Sequence, residues 1–172
     1  MSPISSSVIS SMRRFLLSAV VLLTLSTTLI AEEIPTPTWT VPAGWTKLDQ
    51  QKPMRYATFT AGEGATAVEV VISTFPGDVG GLWANVNRWR GQVALAPIPQ
   101  DQLAANVTPF EVPGFTGNTM RLKGEAQHLL GAVIKDTMNE RSWFVKLIGS
   151  PAAIDAQEAL FLAFAKSFAA GK

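Results

Sequence analysis

Residues 67–92 read AVEVVISTFPGDVGGLWANVNRWRGQ, and the two halves of this stretch obey different periods. From Ala67 to Phe75 the apolar side chains alternate, with Val68, Val70 and Ile72 pointing one way and Val71 and Phe75 the other, the two-residue period of a strand. Both faces are apolar enough to need cover. A strand covered on both sides implies helices on both faces of its sheet, which favours a three-layer α/β/α arrangement over an open sheet. After Pro76 the period changes. At 100° per residue Leu82, Val86, Trp89 and Val93 share a stripe about 60° wide, which predicts a core-facing helix from about Gly81 to Leu95. Pro97 and Pro99 stop it.

Beside that stripe runs a polar ribbon. Asn85, Arg88 and Gln92 follow one another at i, i+3 and i+7, while Trp83 and Arg90 flank the other side of the apolar stripe. Gly77, Gly80 and Gly81 in the preceding turn permit positive φ and close backbone approach, and the free N–H groups of a first helical turn can face an anion. The spacing is neither GxGxxG nor GxxxxGK[ST]. Three accounts stay open: a tight strand-to-helix turn whose amides tie down a neighbouring loop, an anion or ligand site, and a partner-binding surface. These eight residues are the candidate binding residues of the chain.

Working outward, TWTVPAGWTKL (residues 38–48) places two tryptophans around a Pro-Ala-Gly turn and predicts a short, bent edge strand opening at Trp39. A second strand is expected over Met54 to Ala61. Downstream of the helix a short helical turn is expected at Gln100 to Asn106. Two hairpins should follow, Phe110–Val112 with Phe115–Lys123 and Leu129–Lys135 with Ser142–Gly149. In the last strand Trp143, Val145 and Leu147 alternate with Phe144 and Ile148, and Lys146 breaks the second face. Ser150 and Pro151 are an N-cap and first-turn pair for a final helix with the stripe Leu160, Phe161, Phe164, Ala165 and Phe168, ending at Gly171. The fold class is therefore α+β, a three-layer sandwich around a mainly antiparallel sheet of six to seven strands.

The 172 residues suffice for one domain and a leader. Arg13 and Arg14 precede an apolar run, Phe15 to Ala31, closed by Glu32 and Glu33, which is the order of a signal peptide or an uncleaved N-terminal anchor over residues 1–31. Met12, directly before the arginine pair, is an alternative start. Residues 32–38, with Pro35 and Pro37, form an extended tether, and the globular domain spans 39–170. Basic residues before the run and acidic ones after it place that domain outside the cytoplasm, in the periplasm or beyond. Without Arg13 and Arg14 the remainder carries 12 basic groups against 13 acidic ones. Its Lys and Arg are scattered, so no nucleic-acid partner is implied, and membrane contact is expected only through the N-terminal segment.

Cysteine is absent, so the fold holds by burial alone, and thiol chemistry, Cys-ligated metals and a lipoprotein cysteine are all excluded. The single histidine, His128, lies in GEAQHLLG without a G-x-S-x-G partner and reads as a strand-edge side chain. It cannot hold zinc without carboxylates, and no HExxH or EF-hand spacing exists. Glu63, Glu69, Glu111 and Glu125 could supply paired carboxylates, but nothing selects a pair. No cofactor and no metal is called for. Trp39, Trp45, Trp83, Trp89 and Trp143 could stack sugars or lipid chains, although packing is the expected use of at least three.

The element order, the early P-x-x-W from Pro42 to Trp45, and a strand WFVKLIGSP feeding a last helix that ends in Ser167-Phe168 resemble the PsbP-like sandwich fold. FPGDVGGLWANVNRWRGQ, LLGAVIKD and SWFVKLIGSP together resemble a family of uncharacterised secreted proteins of planctomycete and verrucomicrobial bacteria, over Trp39 to about Phe168. The resemblance implies the fold and the compartment and assigns no chemistry. The expected function is thus an exported non-catalytic envelope domain that binds or supports another envelope component. The alternative is a small-ligand or lipid carrier with a cleft near the Gly-rich loop, Trp83 and Arg90. A deep apolar pocket would favour the carrier, a flat Trp/Arg patch the partner module.

Overall fold

The computed structural model describes residues 36–49 and 52–171; the expected leader and residues 32–35 of the tether lie outside this range. Within it the elements are β1 (Trp45–Lys47), β2 (Ala57–Ala61), β3 (Val68–Pro76), α1 (Gly81–Gln92), β4 (Thr108–Val112), β5 (Phe115–Lys123), β6 (His128–Asp136), β7 (Arg141–Gly149) and α2 (Pro151–Ala165). The strands form one seven-stranded sheet in the order β1-β2-β3-β7-β6-β5-β4, and every pairing is antiparallel. The fold is α+β, with one helix on each face, because two separate apolar clusters line the sheet's two sides.

The larger cluster lies under α2. Ser150 caps this helix by accepting the Ala153 N–H, with Pro151 in the first turn. Ala153, Ile154, Gln157, Phe161, Phe164 and Ala165 are its buried residues, a run at helical spacing. They meet Phe59, Val70, Ile72, Ile134, Trp143 and Leu147 from four strands. Aromatic rings dominate: Phe164 lies 5.2–6.3 Å, centroid to centroid, from Trp39, Trp45, Phe59 and Phe168. Burying each such ring is worth about 1.5–3 kcal/mol. The one polar member, Gln157, accepts the indole N–H of Trp45 at 2.9 Å, which removes the cost of leaving either group unpaired.

The smaller cluster lies under α1, where Val86, Trp89 and Val93 are buried against Met120, Leu122, Leu129, Val133 and Phe144. Trp89 is 2% exposed, whereas Arg88 next to it is exposed. The apolar stripe therefore faces the sheet as its spacing requires. Gly131 of β6 lets the Trp89 ring approach the strand closely, since a Cβ there would run into the ring.

Four boundaries differ from the sequence reading by three residues or more. The first strand begins at Trp45 rather than Trp39, because Trp39 packs edge-on against Trp143 while Thr38 bridges Ala169. The second begins at Ala57, since Met54 takes a left-handed φ of 62° that breaks the extended run. Helix α1 stops at Gln92 rather than Leu95: Ala94 turns to φ 58°, and the Ala94 and Leu95 N–H groups fold back onto the carbonyls of Gly91 and Arg90. Helix α2 ends at Ala165, short of Gly171. Phe168 stays buried beyond the helix, held by the Thr38–Ala169 bridge and by Ser167, which accepts the Thr40 N–H.

Candidate functional site

The eight candidate residues divide among three places. The first is the turn into α1, where Gly77, Gly80 and Gly81 all have positive φ. It is fastened to the β6–β7 hairpin: the Gly77 N–H donates to the Glu140 carbonyl at 2.7 Å, Ser142 Oγ donates to the Gly77 carbonyl at 2.7 Å, and Lys135 pairs with Asp78. Asn85 is buried, and its amide nitrogen donates to the carbonyls of Val79 and Gly81, each at 2.7 Å. Both of its amide hydrogens are thereby committed to the turn.

The second place is the loop after α1. Trp83 Nε1 donates to the Ile98 carbonyl at 2.9 Å, Arg90 Nε to the Ala96 carbonyl at 2.7 Å, and Asn87 exchanges two bonds with the Ile98 backbone. Trp83 keeps 39% of its surface exposed. Gly77 lines a cleft with Lys135 and Arg141 at the other side of the turn, so the Gly-rich loop and the Trp83/Arg90 pair do not share one cavity there.

The third place is a groove of about 220 Å³ between α1 and strands β3 and β7, lined by Met54, Val71, Ser73, Phe75, Arg88, Trp89, Gln92, Phe144 and Lys146. Register builds it. Val71 pairs with Lys146 and Ser73 with Phe144, so these side chains project from one face of adjacent strands toward the polar edge of the helix. Gln92 Oε1 accepts from Lys146 Nζ at 2.8 Å, and Asn85 Oδ1 accepts from Arg88 Nη2 at 2.7 Å. The Arg88 guanidinium carbon sits 6.0 Å from the centre of the Phe144 ring, within cation–π range.

The charges in this groove are one-sided. Among the described residues neither Arg88 nor Lys146 has a carboxylate partner; the nearest acid on the same face of β3, Glu69, is taken by Arg55 at 2.7 Å and Lys52 at 2.9 Å. Those two bonds, Arg55's first, hold the Glu69 carboxyl below the usual range. Burial, then repulsion from Arg88 and Arg55, pushes the Lys146 ammonium down. Arg88 and Gln92 thus belong to the groove, and Lys146, Met54 and Ser73 join them from distant sequence. The one visible sign of Lys146 was that it interrupts an apolar strand face.

His128 stands elsewhere, with Nδ1 3.2 Å from Arg121, which also pairs with Asp155 and Glu158 on α2. Trp45, Trp89 and Trp143 are buried. Among the described residues no helix is long and apolar enough to cross a membrane.

No family model matches the chain, and no curated protein matches it in sequence. Among solved structures it is similar to cyanobacterial PsbP, CyanoP, of Synechocystis, with 21% identity, 77% of this chain and 85% of that one covered, and a TM-score of 0.48. It is likewise similar to LpqN, involved in cell envelope biogenesis of Mycobacterium tuberculosis, with 12% identity, coverages of 83% and 88%, and a TM-score of 0.48.

Proposed function

We propose that this chain is an exported, non-catalytic envelope domain that binds another envelope component through the α1 side of its sheet. The observation that carries the reading is the unequal cover of the two faces. Beneath α2 the sheet is closed by a continuous apolar cluster. On the α1 side, Thr60 of β2 and Glu69, Val71 and Ser73 of β3 stay half-buried, beside an exposed Arg88 and Gln92. A partly apolar strip edged by arginine and amides is the composition of a recognition surface. The order of Arg13-Arg14, the apolar run and Glu32-Glu33 supports export.

Two experiments test it. Residues 1–40 fused to a reporter active only outside the cytoplasm should give signal; silence with normal expression ends the export claim. A photo-crosslinking side chain placed at Gln92 should give a discrete adduct in living cells, while the same group at Ala163, exposed on the outer side of α2, should not. Equal labelling from both positions would remove the α1 side from consideration.

A further inference from the structure

We propose that the groove between α1 and strands β3 and β7 is a carboxylate site, in which Arg88 and Lys146 hold the anion and Met54, Val71, Phe75 and Phe144 take an adjoining apolar group. The inference rests on reading the α1 side as the binding side and adds the chemistry of what it binds. Two cations share one groove with no carboxylate of the described chain. Among the described residues each donates its side-chain hydrogen bond to a neutral amide oxygen, Lys146 to Gln92 and Arg88 to Asn85. Two positive groups brought this close repel each other, and the groove supplies no anion of its own to favour their charged form.

The arrangement also selects among anions. Arg88 Nη2 is engaged by Asn85, which fixes the plane of a guanidinium whose other N–H groups donate to no acceptor among the described residues, and a planar fork suits a carboxylate bidentately. The Gln92 amide nitrogen adds a donor beside Lys146, because its oxygen is the atom that faces the ammonium. Val71, Phe75 and Phe144 form apolar wall that a compact inorganic anion would leave unused. A volume of about 220 Å³ admits a carboxylate with one ring or short chain. The carboxylate could come from a free small acid or from the end of a docked polypeptide, and both offer the same group to the same residues.

The test uses the domain with 3-phenylpropionate, its neutral amide, an N-acetylated dipeptide ending in a phenylalanine carboxylate, and inorganic phosphate. The readout is the ¹³Cε resonance of Lys146 through a pH titration. Saturating 3-phenylpropionate should raise the Lys146 pKa, since an adjacent anion favours the ammonium, and the neutral amide should not. Lys146→Met and Arg88→Gln should each weaken binding by about tenfold or more, the loss of one charge-assisted hydrogen bond. A tighter complex with the dipeptide than with the free acid identifies a polypeptide terminus as the source; the reverse identifies a small acid. An unmoved Lys146 resonance in the wild-type domain, or equal binding of the amide or of phosphate, overturns the proposal, and this readout stands even if a variant fails to fold. If the Gln92 crosslink persists while no carboxylate binds, only the ligand class falls. If carboxylate binds and the crosslink is absent, the site stands and the envelope-partner reading falls.

Discussion

The two sides of the sheet solve the same burial problem with different helices. Helix α2 brings Phe161, Phe164 and Ala165 onto a floor that already holds Trp143, and the tail adds Phe168, so that side is filled by interlocking rings. Helix α1 brings Val86, Trp89 and Val93 onto β5, β6 and β7 and spends its remaining side chains on hydrogen bonds or leaves them exposed. One side is built for stability; the other holds its helix with fewer apolar contacts and keeps polar groups available.

Removing a ring on each side measures the contrast most directly. Phe164→Ala should cost about 4–5 kcal/mol in chemical denaturation, because four aromatic neighbours cannot all close on the cavity. Trp89→Ala should cost about 3 kcal/mol, the lower end for such truncations, since its cavity opens toward the adjoining groove. A larger loss at Trp89 than at Phe164 would reverse the assignment of the two sides. Gly131→Ala, which forces a methyl against the Trp89 ring, should cost about 1–3 kcal/mol; a neutral result would show that α1 can shift on the sheet. Arg88→Ala should cost about 1 kcal/mol or less, as exposed substitutions do. Melting temperatures as low as those of Trp89→Ala would mean that Arg88 is part of the scaffold.

The smallest effect concerns pH. The folded chain holds the Lys146 proton less tightly than the unfolded one, so the unfolded state binds more protons between the lowered folded value and the ordinary Lys value of 10.5, and stability rises with pH through that window. Lys146→Met should flatten this alkaline rise relative to the wild type. A variant whose stability climbs as steeply as the parent's would show that Lys146 is not strained in its groove.

The layer arrangement was legible because each clue was local. Val68, Val70 and Ile72 alternate with Val71 and Phe75, Leu82 to Val93 repeat at helical spacing, and Ser150-Pro151 starts α2, all within one element. The helix end was misplaced because Ala94 adopts a conformation that glycine usually supplies. The ribbon of Asn85, Arg88 and Gln92 was recognisable as polar, but not that Asn85 turns inward, since a helical wheel gives direction and not partners. Lys146 could be joined to Arg88 only through the pairing of β3 with β7, in which Lys146 faces Val71, 75 positions away, and no local period encodes that register.

That same pairing bears on how the chain acquires its shape. The central contact of the sheet joins residues 70–76 to 141–147, and Thr38 is bridged only by Ala169. Neither can form until nearly the whole polypeptide has been made. A chain wired in this way locks late, when its last helix arrives to cover the aromatic side. The topology itself thereby makes closure of the sheet a late, all-or-none event, in which the first and last segments of the domain become ordered together.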